Sequence, residues 1–129
     1  MQKLVKYITV TQDDLDALNH VNNVRYVQWV QDIAEEHWLS KAPKSILDSY
    51  FWVLVQHNIS YKGSAVLGDA IRLETYVEKS EGVKSIRRVS MYNNASNQLL
   101  VDSETHWCFM AKDSSRPARI TPEVAKLFN

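Results

Sequence analysis

The sequence predicts an α+β fold in which one antiparallel sheet of five strands curls around one long helix. Three features carry this reading. A single stretch, residues 22–41, repeats apolar side chains at three- and four-residue spacing. Everything from Tyr50 to Lys112 alternates apolar and polar residues with a period of two, interrupted only by turn-forming residues. One further strand-like stretch precedes the helix. Strands that follow one another directly pair antiparallel, and a helix with one apolar face has to bury that face against them. At 129 residues the chain has the length of one domain, 1–129, and enough apolar surface to build a core.

In chain order, Lys3–Thr11 is rich in β-branched and aromatic residues and reads as a strand. Gln12–His20 clusters Asp and Asn, whose side chains compete for backbone hydrogen bonds, and reads as a loop. Asn22 or Asn23 is a suitable N-cap for a helix ending near Lys41, with Pro43 as its stop. Its apolar stripe comprises Tyr26, Val27, Val30, Ile33, Ala34, His37 and Trp38, and leaves Trp29 to one side. In the first strand after it, alternation groups Phe51, Val53, Val55, His57, Ile59 and Tyr61, with Trp52 opposite. Ile71, Leu73, Thr75 and Val77 share a face in the next, and Leu99, Val101, Ser103, Thr105, Trp107 and Phe109 in the last. Residues 83–93 are less regular: Ile86 is out of phase with Val89 and Met91, which predicts a bulge there. Thr121-Pro122-Glu123 caps a short terminal helix, with Thr as the cap and Pro in its first turn.

Composition excludes several classes. Fifteen basic and fifteen acidic side chains leave no net charge, which argues against a nucleic-acid partner. No apolar run approaches the roughly 20 residues of a membrane span, and the first residues lack the apolar core of a signal peptide. One cysteine, Cys108, forms no internal disulfide, so a cytoplasmic setting is the expectation. Neither a cofactor nor a metal is expected. The four histidines have no partner three or four residues away, and His106 and Cys108, two apart on one strand face, read as structural.

The chemistry-bearing stretch is Asp14-Leu15-Asp16-Ala17-Leu18-Asn19-His20-Val21-Asn22-Asn23. It delivers carboxylates and an imidazole to the start of the one long helix. A helix N-terminus carries unpaired N–H groups and a partial positive charge, which suit a developing oxyanion. The plainer alternative is that such Asp/Asn-rich loops simply turn the chain and cap the helix.

The pattern Asp14-x-Asp16-x-x-x-His20-Val21-Asn22-Asn23-x-x-Tyr26 resembles the signature of the hotdog-fold acyl thioesterases. It is similar to the 4-hydroxybenzoyl-CoA thioesterase family, and its His-Val-Asn-Asn run to the acyl-ACP thioesterases. Ile59-x-Tyr61-x-x-x-Ala65-x-x-Gly68-Asp69 and Arg116-Pro117-x-Arg119-Ile120 resemble two further landmarks, so the likeness spans the chain in order. It implies the hotdog fold and hydrolysis of acyl-CoA or acyl-ACP thioesters. Asp16 would be the nucleophile or the general base, and the backbone N–H of Asn23 would polarise the thioester carbonyl. His20 matches the histidine of the acyl-ACP enzymes. The plant enzymes carry an Asn two residues before that histidine, where this chain has Leu18, and an acid after the second strand, where Ser64 is the nearest match. The implied site is thus the simpler one, a carboxylate and a helix N-terminus. Tyr26, His57 and Tyr61 are read either as core residues or as walls of the substrate cleft.

Rival readings on the same fold are a non-catalytic acyl-binding protein and a hydroxyacyl dehydratase. The latter's acid and histidine usually adjoin a Pro-Gly turn, which this chain lacks. Lys84, Arg87 and Arg88 form a compact basic group, read as a solvated strand face or a seat for a coenzyme A phosphate. Trp29 and Trp52 are placed at a subunit interface or pocket. An open sheet leaves edges unpaired, and hotdog relatives pair them, so a homodimer or homotetramer with sites at the interface is expected.

Overall fold

A computed structural model describes residues 1–129. Strand β1 (Leu4–Thr9) leads through a short 3₁₀ turn (Gln12–Asp14) and an irregular loop into α1 (Asn23–Lys41). A second short helix, α2 (Lys44–Ser49), follows, then β2 (Tyr50–Tyr61), β3 (Ala70–Glu81), β4 (Lys84–Asn93) and β5 (Leu99–Ala111). A two-residue strand β6 (Arg116–Pro117) and α3 (Pro122–Lys126) complete the chain. The sheet runs β1-β3-β4-β5-β2, antiparallel throughout, with β6 on β5. This is the predicted α+β architecture, five main strands curled about one helix. No helix is long and apolar enough to cross a membrane.

Asn22 is the N-cap of α1, its side chain accepting from the Val24 N–H at 3.0 Å. The helix buries Tyr26, Trp29, Val30, Ile33, Ala34 and His37. Trp29 therefore belongs to the buried stripe, three residues after Tyr26, rather than beside it. These side chains meet Ile71, Leu73, Val89, Met91 and Val101 from the inner sheet face. A second apolar cluster forms at the far end of α1, where Ala42, Ile46, Phe109 and Val124 are packed by Trp38, Trp52 and Tyr50. Thr121 caps α3 as its sequence predicts, accepting from the Val124 N–H at 3.2 Å.

Three strand expectations need correction. The register of β2 against β5 shifts between Leu54 and Gln56, so Val55 is an extra residue. The phase of β2 changes there: Trp52 and Leu54 lie on the more covered side before it, His57 and Ile59 after it, while Val53 and Val55 are exposed. The bulge expected in β4 lies instead in β3, between Val77 and Lys79. β4 itself alternates without a break, burying Ser85, Arg87, Val89 and Met91. Arg87 is thus an interior residue, not part of a solvated face. Arg88 does face outward, paired with Glu78 and, at 2.9 Å, with Glu104.

Candidate active site

The loop before α1 is fixed from both sides. Asp14 closes a capping box on the 3₁₀ turn, accepting from the Thr11 N–H at 2.8 Å, and pairs with Arg25 Nε at 3.0 Å. Arg25 also donates to the carbonyl of Asp13 at 3.1 Å, which ties the turn to the first turn of the helix. Asp14 is therefore structural. Beyond it the chain makes a compact reversal. The Asp16 N–H donates to the His20 carbonyl at 2.8 Å, and Asn19 turns through a left-handed conformation at φ 62°.

The Asp16 carboxylate sits inside that reversal. Its Oδ1 accepts from the Leu18 N–H at 2.9 Å and the His20 N–H at 3.2 Å. Both bonds use the same oxygen, so Oδ2 carries no hydrogen bond from the chain. Next to it the helix begins. The Asn22 N–H goes to the Asp14 carbonyl, Val24 N–H to the Asn22 side chain and Arg25 N–H to the Asn22 carbonyl. The Asn23 N–H between them has no acceptor within the chain. It is one of the orphan donors of a helix start, lying at the positive end of a 19-residue dipole.

The opposite wall is the β2–β3 connection. It is stitched to the Asp16 loop by the Val21 N–H to Ala65 carbonyl bond at 2.9 Å and by a His20–Val66 bridge. Tyr26 reaches across from α1, its Oη accepting from the buried Ala65 N–H at 3.2 Å. Burial pushes the Tyr26 hydroxyl's pKa up, so it remains a neutral phenol. The Tyr61 ring lies 5.9 Å from that of Tyr26. Between these walls is a cleft of about 360 Å³ lined by Asp16, His20, Asn23, Tyr26, Tyr61 and Ser64, with Lys62 and Gly63.

Six of the seven site residues expected from sequence are thus gathered around one cleft. The seventh, His57, is not among them: its Nε2 is bonded to Ser103 Oγ at 2.8 Å, and burial lowers its pKa. Lys62 and Gly63 also line the cleft, and neither is among the site residues expected. A Cβ on Gly63 would come within 2.7 Å of Gln98 Nε2, the far end of a side chain that can swing aside.

A second cavity, about 480 Å³, opens at the other end of α1. Trp38, Tyr50, Trp52, Trp107 and Phe128 form its walls, and Arg87 reaches it from β4. Arg87 is only 6% exposed and has no carboxylate within ion-pair distance. Its Nη1 donates to His37 Nδ1 at 2.8 Å and to Thr75 Oγ1 at 3.1 Å, and its guanidinium lies 5.3 Å from the Phe128 ring centre. Burial lowers its pKa to about 10, which leaves it charged at neutral pH. Burial, then the Arg87 charge, lowers the His37 pKa to about 4. His37 is therefore neutral, with Nδ1 accepting and its proton on Nε2, a buried donor without a partner.

The curled antiparallel sheet around one long helix, with an Asp-bearing loop at the helix start, places the chain in the hotdog class. Within that class it belongs to the acyl-ACP thioesterase family: residues 2–128 match the model of the acyl-ACP thioesterase N-terminal domain. It is accordingly a thioester hydrolase whose substrates are acyl thioesters. Solved structures agree on the fold. A 1,4-dihydroxy-2-naphthoyl-CoA thioesterase from Synechocystis superposes with a TM-score of 0.84 at 17% identity, covering 98% of this chain and 95% of its own. YbaW, a probable thioesterase from Escherichia coli, gives 0.83 at 20% identity over 95% and 94%. A variant 4-hydroxybenzoyl-CoA thioesterase complexed with 4-hydroxybenzoyl-CoA gives 0.86 at 13% identity over the whole of both chains. No curated protein matches the sequence significantly.

Proposed function

We propose that Asp16 drives hydrolysis and that the Asn23 main chain stabilises the oxyanion. The observation that carries this is the pairing of a carboxylate, held through one oxygen only, with an unclaimed helix N-terminal N–H on the same cleft. The thioester carbonyl would accept from Asn23 N–H, which faces developing negative charge with the helix dipole behind it. Asp16 Oδ2 would attack the carbonyl carbon or take a proton from water that does so. The rigid Asx turn holds the carboxylate without ordering cost at the moment of reaction. His20, exposed on the rim with no side-chain hydrogen bond, is placed to approach the leaving thiol or the coenzyme, and Ser64, Tyr61 and Tyr26 shape the wall. Substrates would be acyl-CoA or acyl-ACP thioesters. Free-thiol release from a panel of acyl-CoAs tests the reading, and absence of release from every acyl-CoA and acyl-ACP would refute it.

The chain would act as a homodimer, in the cytoplasm, as one domain. β2 is a sheet edge twelve residues long with Val53, Val55 and Tyr61 exposed along it, whereas the other edge, β1, has six residues. A long apolar edge left open is an aggregation hazard, and pairing it with a second copy removes the hazard. Antiparallel β2–β2 pairing is the simplest two-fold arrangement. Light scattering should give twice the mass of the chain, or a multiple of it; a monomer at micromolar concentration would contradict it.

A further inference from the structure

The cavity floored by Arg87 has a chemistry the Asp16 cleft does not use. Along α1, Trp38 lies fifteen residues beyond Asn23, about 22 Å away at helical rise. The two cavities are therefore separate sites within one chain. Its aromatic walls include Trp38, Trp52 and Phe128, with Trp38 and Trp52 edge to face at 5.7 Å. Flat, apolar walls of this kind suit a ring. The volume falls in the range of roughly 300–1,000 Å³ usual for small-molecule sites.

The cation at its inner wall is the unusual part. Burying a charge without a counter-charge is costly, and the groups around Arg87 compensate only in part. Thr75 Oγ1 and His37 Nδ1 are neutral acceptors, and both take hydrogen bonds from the same Nη1. Phe128 offers only a ring face. No protein oxygen bonds to Nε or Nη2, the pair of donors that matches a carboxylate in the two-pronged geometry guanidinium favours. The carboxylate of Glu35 and the ammonium of Lys112 lie on exposed rim residues of the same cavity, neither within ion-pair distance of a partner.

We propose that this cavity is a binding subsite for an aromatic carboxylate, its ring among Trp38, Trp52 and Phe128 and its carboxylate on Arg87. A free aromatic acid presents that chemistry; an aryl thioester seated at Asn23 would not span the roughly 22 Å to this cavity.

Isothermal titration of the intact protein with 2-naphthoate and with its uncharged isostere 2-naphthamide tests the subsite. The acid should bind at least tenfold more tightly, and Arg87→Met should reduce the preference to under threefold. Arg87→Lys, which keeps the charge but not the fork, should retain part of it. Equal affinity for the two ligands in the wild-type protein overturns the proposal, and so does a preference that survives Arg87→Met. The wild-type comparison decides the matter even if the methionine variant does not fold. Neither ligand contains a thioester, so the result stands whether or not acyl-CoA is hydrolysed.

Discussion

Asp16→Asn separates the chemical role of this residue from its structural one. In the loop, Asp16 Oδ1 accepts two backbone N–H groups, at 2.9 and 3.2 Å. An asparagine presents a carbonyl oxygen in the same place and keeps both bonds, while its amide replaces the free Oδ2. The surrounding residues, Ala17 to His20, are exposed, so any weakened bond is exchanged with water. The expected loss of stability is below about 1 kcal/mol, within the net worth of one hydrogen bond. The amide can neither attack a thioester nor accept a proton. Loss of a general base or nucleophile typically lowers turnover by about 10²–10⁴, or about 3–5 kcal/mol of transition-state stabilisation. The assay is thiol release from acyl-CoA under steady state, with thermal unfolding measured on the same sample. Asp16→Ala should lose as much activity and somewhat more stability, because both N–H acceptors go. Asp16→Asn with an unchanged Tm and more than about a tenth of wild-type kcat/KM would refute the assignment.

Other outcomes follow from the same geometry. Asn23→Ala should change activity little, because the donor is main chain, whereas Asn23→Pro deletes only that N–H. Proline is tolerated at the first helical position, and Asn22 already has the extended backbone (φ −65°, ψ 135°) that a following proline requires. The proline variant should fold normally and lose about 10²–10³ in kcat, the usual worth of one oxyanion donor; wild-type kinetics would eliminate Asn23 from the site. Tyr26→Phe leaves the Ala65 N–H buried and unpaired, so unfolding titrations should show a loss of about 1–3 kcal/mol. His37, with its pKa lowered to about 4 by burial, binds its proton less readily folded than unfolded. Its contribution is complete above the unfolded pKa near 6.5 and is lost as pH falls from there toward 4, by at most about 3 kcal/mol. His37→Gln should flatten that part of the stability–pH curve; a slope identical to wild type would point to other groups.

What the sequence disclosed and what it hid divide along physical lines. The α1 stripe, apart from Trp29, and the inner faces of β3 as far as Val77 and of β5 from Val101 onward are legible because each keeps one phase over those residues; Leu99, expected on the Val101 face, is turned away by the extra residue Leu100, which is buried instead. β2 does not keep one phase: the extra residue at Val55 reverses it midway, and Val53 and Val55 are apolar yet exposed on an edge strand. Arg87 reads as solvent-facing because arginine usually is. Its burial depends on His37, Thr75 and Phe128, which lie 50, 12 and 41 residues away along the chain. α2 has six residues, too few for helical periodicity to register. The gathering of Asp16, Asn23, Tyr61 and Ser64 came from resemblance alone, since nothing in local spacing brings residues 16 and 64 together. The Val21–Ala65 hydrogen bond and the Tyr26 hydroxyl do that.

The bulge at Val55 also bears on how such a protein diversifies. On one side of it β2 contributes Tyr50 and Trp52 to the aromatic cavity; on the other, Tyr61 to the Asp16 cleft. Val55 and Gln56 both lie outward, opposite the single step from Trp107 to His106 on β5. Deleting Val55 would join Leu54 to Gln56 in strict alternation, with each half of the strand keeping its facing and its register. Flattening the bulge with Val55 still present would instead slide one half by a residue and turn its covered side chains outward. The extra residue is thus an insertion that the sheet absorbs locally: it can be gained or lost between the two cavities without exchanging the lining of either.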